Sequence, residues 1–301
     1  MSDRRLQRAH APLTRAYPRL TTPEEARAYE LDDEQLRSFE REGYVERVRV
    51  LDAEQVGALR ERLEHLRTHL GEHEGQLYEV EAAWRERPAA VVFHFLGAWM
   101  VDELFHDLLF HPALTVPMAQ LLGVERLRFW HDQVFYKPPH HPGVVPWHQD
   151  YSYWDRTAPA CHITANLVLD DTSLANGCLH VVPGSHRWPL LAPVPFDAEQ
   201  DQLLRTLPPA LAQEFEPRPL QLRAGEASFH HSHTLHGSGP NASAQARRAV
   251  VVNAMGDHVR VADGSRPLLA GVPLLPTGAL VEGEHFPIVH PPEAWSQAAC
   301  D

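Results

Sequence analysis

The pattern of apolar residues changes once, near Gly123, and that change restricts the fold more than any other feature of the chain. Upstream, apolar side chains recur at three- and four-residue steps. Val56, Leu59, Leu63 and Leu66 form one such stripe, with Asp52 as its helix cap. Asp32 or Asp33 caps an earlier helix through Glu34–Glu42, and Gly43 stops it. Val45–Val50 reads as a short strand between the two. A third helical stretch runs from about Asp102 to Leu122, with interruptions expected near Pro112 and Pro117. Downstream of Gly123 come short runs bounded by Pro, Gly, Asn and Asp. They are Arg128–Tyr136, Ile163–Leu169, Cys178–Val182, Ala227–Leu235 and Ala249–Ala254. Helices first and strands later predict an α+β, mainly β protein, with helices packed on one side of a sandwich or barrel. The proline-rich segment 189–219 interrupts the strands as an insertion, with a helix expected from Ala198 to Leu207.

With 301 residues, 44 % of them apolar, the chain is long enough for one large core, and a single domain over 1–301 is expected. The first twenty residues are polar and arginine-rich, and are expected to be flexible. They lack the apolar stretch of a secretory signal. No run of eighteen apolar residues occurs, so no membrane span is expected. A formal charge of -13 argues against a nucleic-acid partner, which needs a positive surface. The 3 cysteines include no CxxC pair, which gives neither a disulfide framework nor a thiolate metal site. A reducing cytoplasm is the expected location. Oligomeric state is not written in these features.

The 21 histidines turn attention to metal chemistry, because imidazole is the commonest metal ligand. In Trp147-His148-Gln149-Asp150, residues two apart on an extended segment point to the same side. His148 and Asp150 then offer an imidazole and a carboxylate to one point. A third ligand has candidates in Phe229–Gly239, where His230, His231, His233 and His236 sit on what reads as one strand. His236, in the sequence His-Gly-Ser-Gly, has the best case. The other three read as packing or supporting residues. Two histidines and a carboxylate on one face of a metal leave three positions open, the arrangement of non-haem Fe(II) oxygenases. Those positions can accept a chelating 2-oxo acid and dioxygen. Such an acid needs its far carboxylate held, and Arg247 and Arg248 follow at the start of the next run. Adjacent strand residues face opposite ways, so only one of the two can point inward.

His148-Gln149-Asp150, Asn176-Gly177-Cys178-Leu179-His180-Val181-Val182-Pro183-Gly184-Ser185-His186, Leu235-His236-Gly237-Ser238-Gly239-Pro240-Asn241 and Arg247 occur in that order. Together with Phe39–Val45 and Tyr136–Pro139, this combination resembles the phytanoyl-CoA dioxygenase family. The resemblance implies a double-stranded β-helix core, a jelly roll of the cupin kind, with helices packed on one side. It implies Fe(II) held by His148, Asp150 and His236, and 2-oxoglutarate as cosubstrate. The family spacing favours Arg247 over Arg248, with Ser238 assisting at the same carboxylate. Asn166 falls where some relatives place a cofactor-contacting residue. Gln133 and Lys137 share inward parity on their strand and are further candidates to touch 2-oxoglutarate or substrate.

The resulting expectation is a hydroxylase of an unactivated C–H bond in a small molecule, using O2 and releasing succinate and CO2. Asp150 stands where related halogenases carry a small residue, which favours hydroxylation over chlorination; desaturation, ring closure and epimerisation share the same hydrogen-abstraction step and the sequence does not separate them. Two other readings remain at this point. One is a cupin-like metalloenzyme that does not use 2-oxoglutarate, and the other is a non-catalytic small-molecule binding protein on the same scaffold. Substrate identity is not legible. The insertion 189–219 is the expected lid.

Overall fold

Asp32 caps helix α1 (Asp33–Glu42), accepting from the backbone N–H groups of Glu34 and Gln35 while the Gln35 side chain answers at the Asp32 N–H. Gly43 ends it in the left-handed region, φ 82°. A side chain there would also meet the His186 ring, since an added Cβ would lie 2.4 Å from Nδ1. Asp52 caps α2 (Ala53–Thr68), and its stripe of Val56, Leu59, Leu63 and Leu66 is buried. The third helical stretch divides into α3 (Glu103–Leu108) and α4 (Pro112–Leu122). Pro112 opens α4, where its missing N–H costs nothing. Pro117 does not interrupt α4, contrary to expectation. Burial of every residue from Pro112 to Ala119 holds that turn in place despite the lost hydrogen bond.

The computed structural model describes residues 6–73, 75–292 and 295. The labelled strands are β1 (Tyr44–Arg49), β2 (Phe93–Leu96), β3 (Leu127–Lys137), β4 (Val145–His148), β5 (His162–Val168), β6 (Leu179–Val181), β7 (Glu226–His231), β8 (His236–Ser238) and β9 (Arg247–Gly256). Among the described residues they form two antiparallel sheets that face each other. The large sheet runs β1-β7-β5-β9-β3-β2 and continues to Glu79–Val80, with Ile288–His290 added beside β3. The small sheet runs β4-β8-β6 and ends at Arg218–Pro219. This is the jelly-roll core, with the helices on the outer side of the large sheet.

Alternation sorts the large sheet into two faces. Val250, Val252 and Ala254 of β9, Ile163, Ala165 and Leu167 of β5, and Phe129 of β3 join the helix residues Leu59, Leu63, Leu108 and Leu114 in one apolar core. Each such side chain contributes roughly 1.5–3 kcal/mol when fully buried. The opposite face carries polar side chains in register. Gln133 pairs with Val251 and Val251 with Asn166, while Lys137 pairs with Arg247. The polar face looks into the barrel.

Two further expectations are corrected. The run Ala227–Leu235 is not one strand: β7 stops at His231, and the chain turns before His236 enters the other sheet. The turn is fixed by the Thr234 N–H on His231 O, the Thr234 hydroxyl on Gly43 O, and the Leu235 N–H on Ser185 Oγ. The expected helix Ala198–Leu207 is replaced by a 3-10 turn, Leu203–Thr206, and a short helix, Pro209–Gln213, because Pro208 and Pro209 restart the chain. Of the expected flexible start, residues 1–5 lie outside the described residues. Within residues 6–20, the Leu13 and Thr14 N–H groups donate to Asp107 at 2.7 and 2.6 Å, and Tyr17 and Leu20 are buried.

Candidate metal centre

His148 ends β4 and His236 begins β8, and the two are direct partners across the small sheet. Asp150 lies two residues beyond β4, at the start of a 3-10 turn, Asp150–Tyr153. The sheet therefore sets both imidazoles, and the turn swings the carboxylate back toward them. One donor atom from each of the three residues lies within 4.8 Å of the others. Asp150 Oδ1 is 3.4 Å from His148 Nε2 and 3.6 Å from His236 Nε2.

The ring protons are assigned by the backbone. His148 Nδ1 donates to Pro146 O at 2.8 Å, and His236 Nδ1 donates to Thr234 O at 2.9 Å. A carbonyl can only accept, so in the neutral rings both Nε2 atoms carry lone pairs. Two lone pairs and a carboxylate oxygen then face one another. That contact is repulsive unless a cation sits between them. Without a cation that repulsion is relieved only by protonating an imidazole, and in that form the effect of burial is outweighed by His236, His148 and His230, which hold the Asp150 carboxyl well below the usual carboxylate range. Burial, and then His148, push the His236 ring well below its ordinary value. Donors of a first-row divalent ion bonded at about 2.1 Å at right angles stand about 3 Å apart. The donor set fits an Fe(II) ion bound on one face.

A cavity opens from these donors and is walled by residues of both sheets. Arg247 reaches it and Arg248 does not. Arg248 turns outward to a two-pronged pair with Asp170, at 2.8 Å for both Nε and Nη2. Arg247 is 4 % exposed, and its guanidinium donates from Nη1 to Ser238 Oγ at 3.5 Å. Its Nε has no partner, and among the described residues it makes no ion pair. Burial lowers its pKa to about 10. Lys137 stands beside it on β3, fully buried, and burial followed by the Arg247 charge pushes it well below its ordinary value. A buried arginine facing the cavity with no acidic partner, and a second buried cation close behind it, invite an anion.

The other expected cavity residues divide. Gln133, Asn166 and Ser238 line the cavity. Gln133 also accepts from His94 Nε2 at 3.1 Å. Lys137 does not line it. Its Nζ sits behind Ser238, donating to Ser238 Oγ at 2.8 Å and to Gly239 O at 2.6 Å. Of the remaining histidines in the run, His230 lines the cavity and contacts Asp150, whereas His231 and His233 lie in or beside the turn. Two residues escaped the sequence reading. Thr164 donates to Asp150 Oδ2 at 2.6 Å, and Asn253 lies against Thr164. Their only signal was inward parity with Asn166 and Arg247.

Comparison with known proteins agrees with this geometry. Residues 39–249 match the family model described as phytanoyl-CoA dioxygenase (PhyH). The ectoine dioxygenase of Halomonas elongata is 30 % identical over 228 residues, 71 % of this chain and 66 % of that protein. The "Probable alpha-ketoglutarate-dependent hypophosphite dioxygenase" of Stutzerimonas stutzeri is 30 % identical over 142 residues, 45 % of this chain and 47 % of that protein. The chain thus spans less than two thirds of either relative. Among solved structures, the non-heme alpha ketoglutarate dependent carbocyclase SnoK from nogalamycin biosynthesis superposes with a TM-score of 0.69 at 25 % identity, covering 90 % of this chain and 99 % of that one. The motifs, the two facing sheets and the match over most of the chain together place this protein in the phytanoyl-CoA dioxygenase family.

Proposed function

We propose that this protein is an Fe(II)- and 2-oxoglutarate-dependent oxygenase that hydroxylates an unactivated C–H bond of a small molecule. The observation that carries this reading is the pairing of a two-histidine, one-carboxylate donor set with a buried arginine that lacks an acidic partner in the same cavity. Bound Fe(II) and 2-oxoglutarate would supply the oxidising chemistry, using O2 and releasing succinate and CO2. The chain supplies placement and exclusion of water.

His148, Asp150 and His236 would hold the metal through Nε2, Oδ1 and Nε2. Arg247 would pair with the distal carboxylate of 2-oxoglutarate. Ser238 Oγ accepts from Lys137, which leaves its own proton free to donate to that carboxylate. Lys137 therefore acts by orienting Ser238 rather than by touching the cosubstrate. Gln133 and Asn166 offer neutral amide groups elsewhere on the wall. The segment 189–219 would serve as the lid: the Tyr153 hydroxyl donates to Val194 O at 2.6 Å, the Leu191 N–H to Gln149 Oε1 at 2.7 Å, and Phe196 stacks on His94 at 4.7 Å. These contacts tie it to residues on both sides of the metal motif. No helix among the described residues is long and apolar enough to cross a membrane.

The test is an anaerobic titration of metal-free protein with Fe(II) and 2-oxoglutarate, followed by the visible charge-transfer absorption of the chelate. The band is expected for the parent protein and should vanish in His148→Ala. Metal binding without the band would favour a cupin-like enzyme that does not use 2-oxoglutarate. No metal binding at all would favour a non-catalytic binding protein. A chlorinated product, seen by mass spectrometry, would overturn the assignment of Asp150 to the metal.

A further inference from the structure

Asp150 uses one carboxylate oxygen toward the two imidazoles and has a second that faces away. That second atom, Oδ2, accepts from the Thr164 hydroxyl at 2.6 Å and from His230 Nε2 at 3.1 Å. Both donors belong to the large sheet, where Thr164 and His230 are direct cross-strand partners on β5 and β7. The row continues in the same register. Thr164 pairs with Asn253 on β9, and Asn253 with His131 on β3. The side chains follow the backbone pairing. Thr164 Oγ1 is 2.9 Å from Asn253 Oδ1, and Asn253 Nδ2 donates to His131 Nδ1 at 3.2 Å.

One polar row thus crosses four neighbouring strands and ends on a carboxylate that lies just beyond a strand of the other sheet. None of its four residues is more than 3 % exposed. Burying such groups costs free energy that apolar residues of the same size would not. The row is therefore a poor way to stabilise a sheet and an effective way to orient one side chain. Asp150 needs orienting, because it sits outside both strand ladders in a single 3-10 turn. A carboxylate free to rotate could give both oxygens to a metal and close a position that 2-oxoglutarate or dioxygen requires.

We propose that Thr164 and His230 are positioning residues that confine Asp150 to one-oxygen coordination, with Asn253 and His131 packed behind Thr164 in the same row. This rests on the metal site proposed above. With Oδ2 engaged by two donors, turning it toward the metal would break both hydrogen bonds.

The experiment is a Co(II) titration of metal-free protein, read by visible d–d absorption, on the parent chain, Thr164→Val, Thr164→Ser, His230→Leu and His230→Gln. Thermal unfolding in the presence of a chelator reports the fold of each. Thr164→Val and His230→Leu are expected to bind Co(II) roughly 10–100-fold more weakly, the usual cost of removing a group that orients a ligand. Their absorption envelope should also change. Thr164→Ser and His230→Gln, which keep a donor, should recover most of the affinity and the parent envelope. Parent-like affinity and absorption in both Thr164→Val and His230→Leu would overturn the proposal while leaving the metal site intact. Equal damage in the Ser and Val variants, or an equally lowered chelator-treated melting temperature, would assign Thr164 to packing and overturn its positioning role. Failure of the parent chain to bind Co(II) would overturn this proposal and the proposed function together.

Discussion

The two sheets contribute to the same cavity by different means. The large sheet has long strands, Leu127–Lys137 and Arg247–Gly256 among them, paired over ten positions. Its inward residues are placed by register, so Thr164, Asn166, Arg247 and Gln133 are held by many hydrogen bonds that do not involve the site. The small sheet has strands of three or four residues, and its pairing of β4 with β8 includes an irregularity between His236 and Ser238. Register alone is a weak constraint there. Each ligand histidine is instead pinned by its own Nδ1 proton on a carbonyl two residues earlier. The two ligand histidines are fixed locally, whereas Arg247 and the groups that hold Asp150 are fixed by the extended ladder.

The largest effect expected from this contrast is on the small sheet. His236→Ala removes a donor outright, and metal affinity should fall by more than about 100-fold, beyond the range seen for orienting groups. Isothermal titration with Co(II) measures it. A modest loss would mean that another residue of the His230–His236 run can replace His236.

Arg247→Ala comes next. Removing one partner of a buried charged pair costs roughly 2–5 kcal/mol. The apparent affinity for 2-oxoglutarate should drop by at least about tenfold, since about 1.4 kcal/mol is a factor of ten. Metal affinity should stay close to that of the parent chain. A parallel loss of metal would show that Arg247 also shapes the metal site.

Gly177→Ala probes the junction between the sheets. Gly177 has φ 70°, and an added Cβ would fall 2.3 Å from Gly239 O, the carbonyl that accepts from Lys137. The backbone on both sides must shift, at a cost of about 1–3 kcal/mol. A lowered melting temperature with weakened 2-oxoglutarate binding is expected. An unchanged melting temperature would show that this turn can relax without strain.

The smallest effect belongs to Arg248→Ala, on the outer face of the same strand as Arg247. Its pair with Asp170 is partly exposed, and such pairs contribute about 0–1 kcal/mol. A small change in stability and unchanged 2-oxoglutarate affinity are expected. A tenfold loss of that affinity would move the anion site to the wrong arginine.

Helices α1 and α2 were legible because their caps, stripes and stops lie within a few residues of one another. The strands were legible as runs for the same reason. The run Ala227–Leu235 misled because an alternating pattern continues through a corner at which the chain leaves one sheet for the other. Nothing local to Ser232–Leu235 announces that change. It is made by contacts to Gly43 and Ser185, far away in sequence. Arg247 and Arg248 could not be separated by alternation alone, because parity states that one points inward without stating which. Thr164 was invisible: a threonine in a strand is ordinary, and only the folded chain brings Asp150 within 2.6 Å of it.

By itself, the order of residues determined the α-then-β layout, the His148/Asp150 pair, the candidate third histidine and the family that combines them. Those properties depend on spacing along the chain, which sequence states directly. Only the tertiary structure decided that Arg248 turns outward to Asp170, that Lys137 stands behind Ser238, and that Thr164 and His230 hold the free oxygen of Asp150. Those depend on register between strands distant in sequence, and register is set by the packing of the whole sheet against its helices.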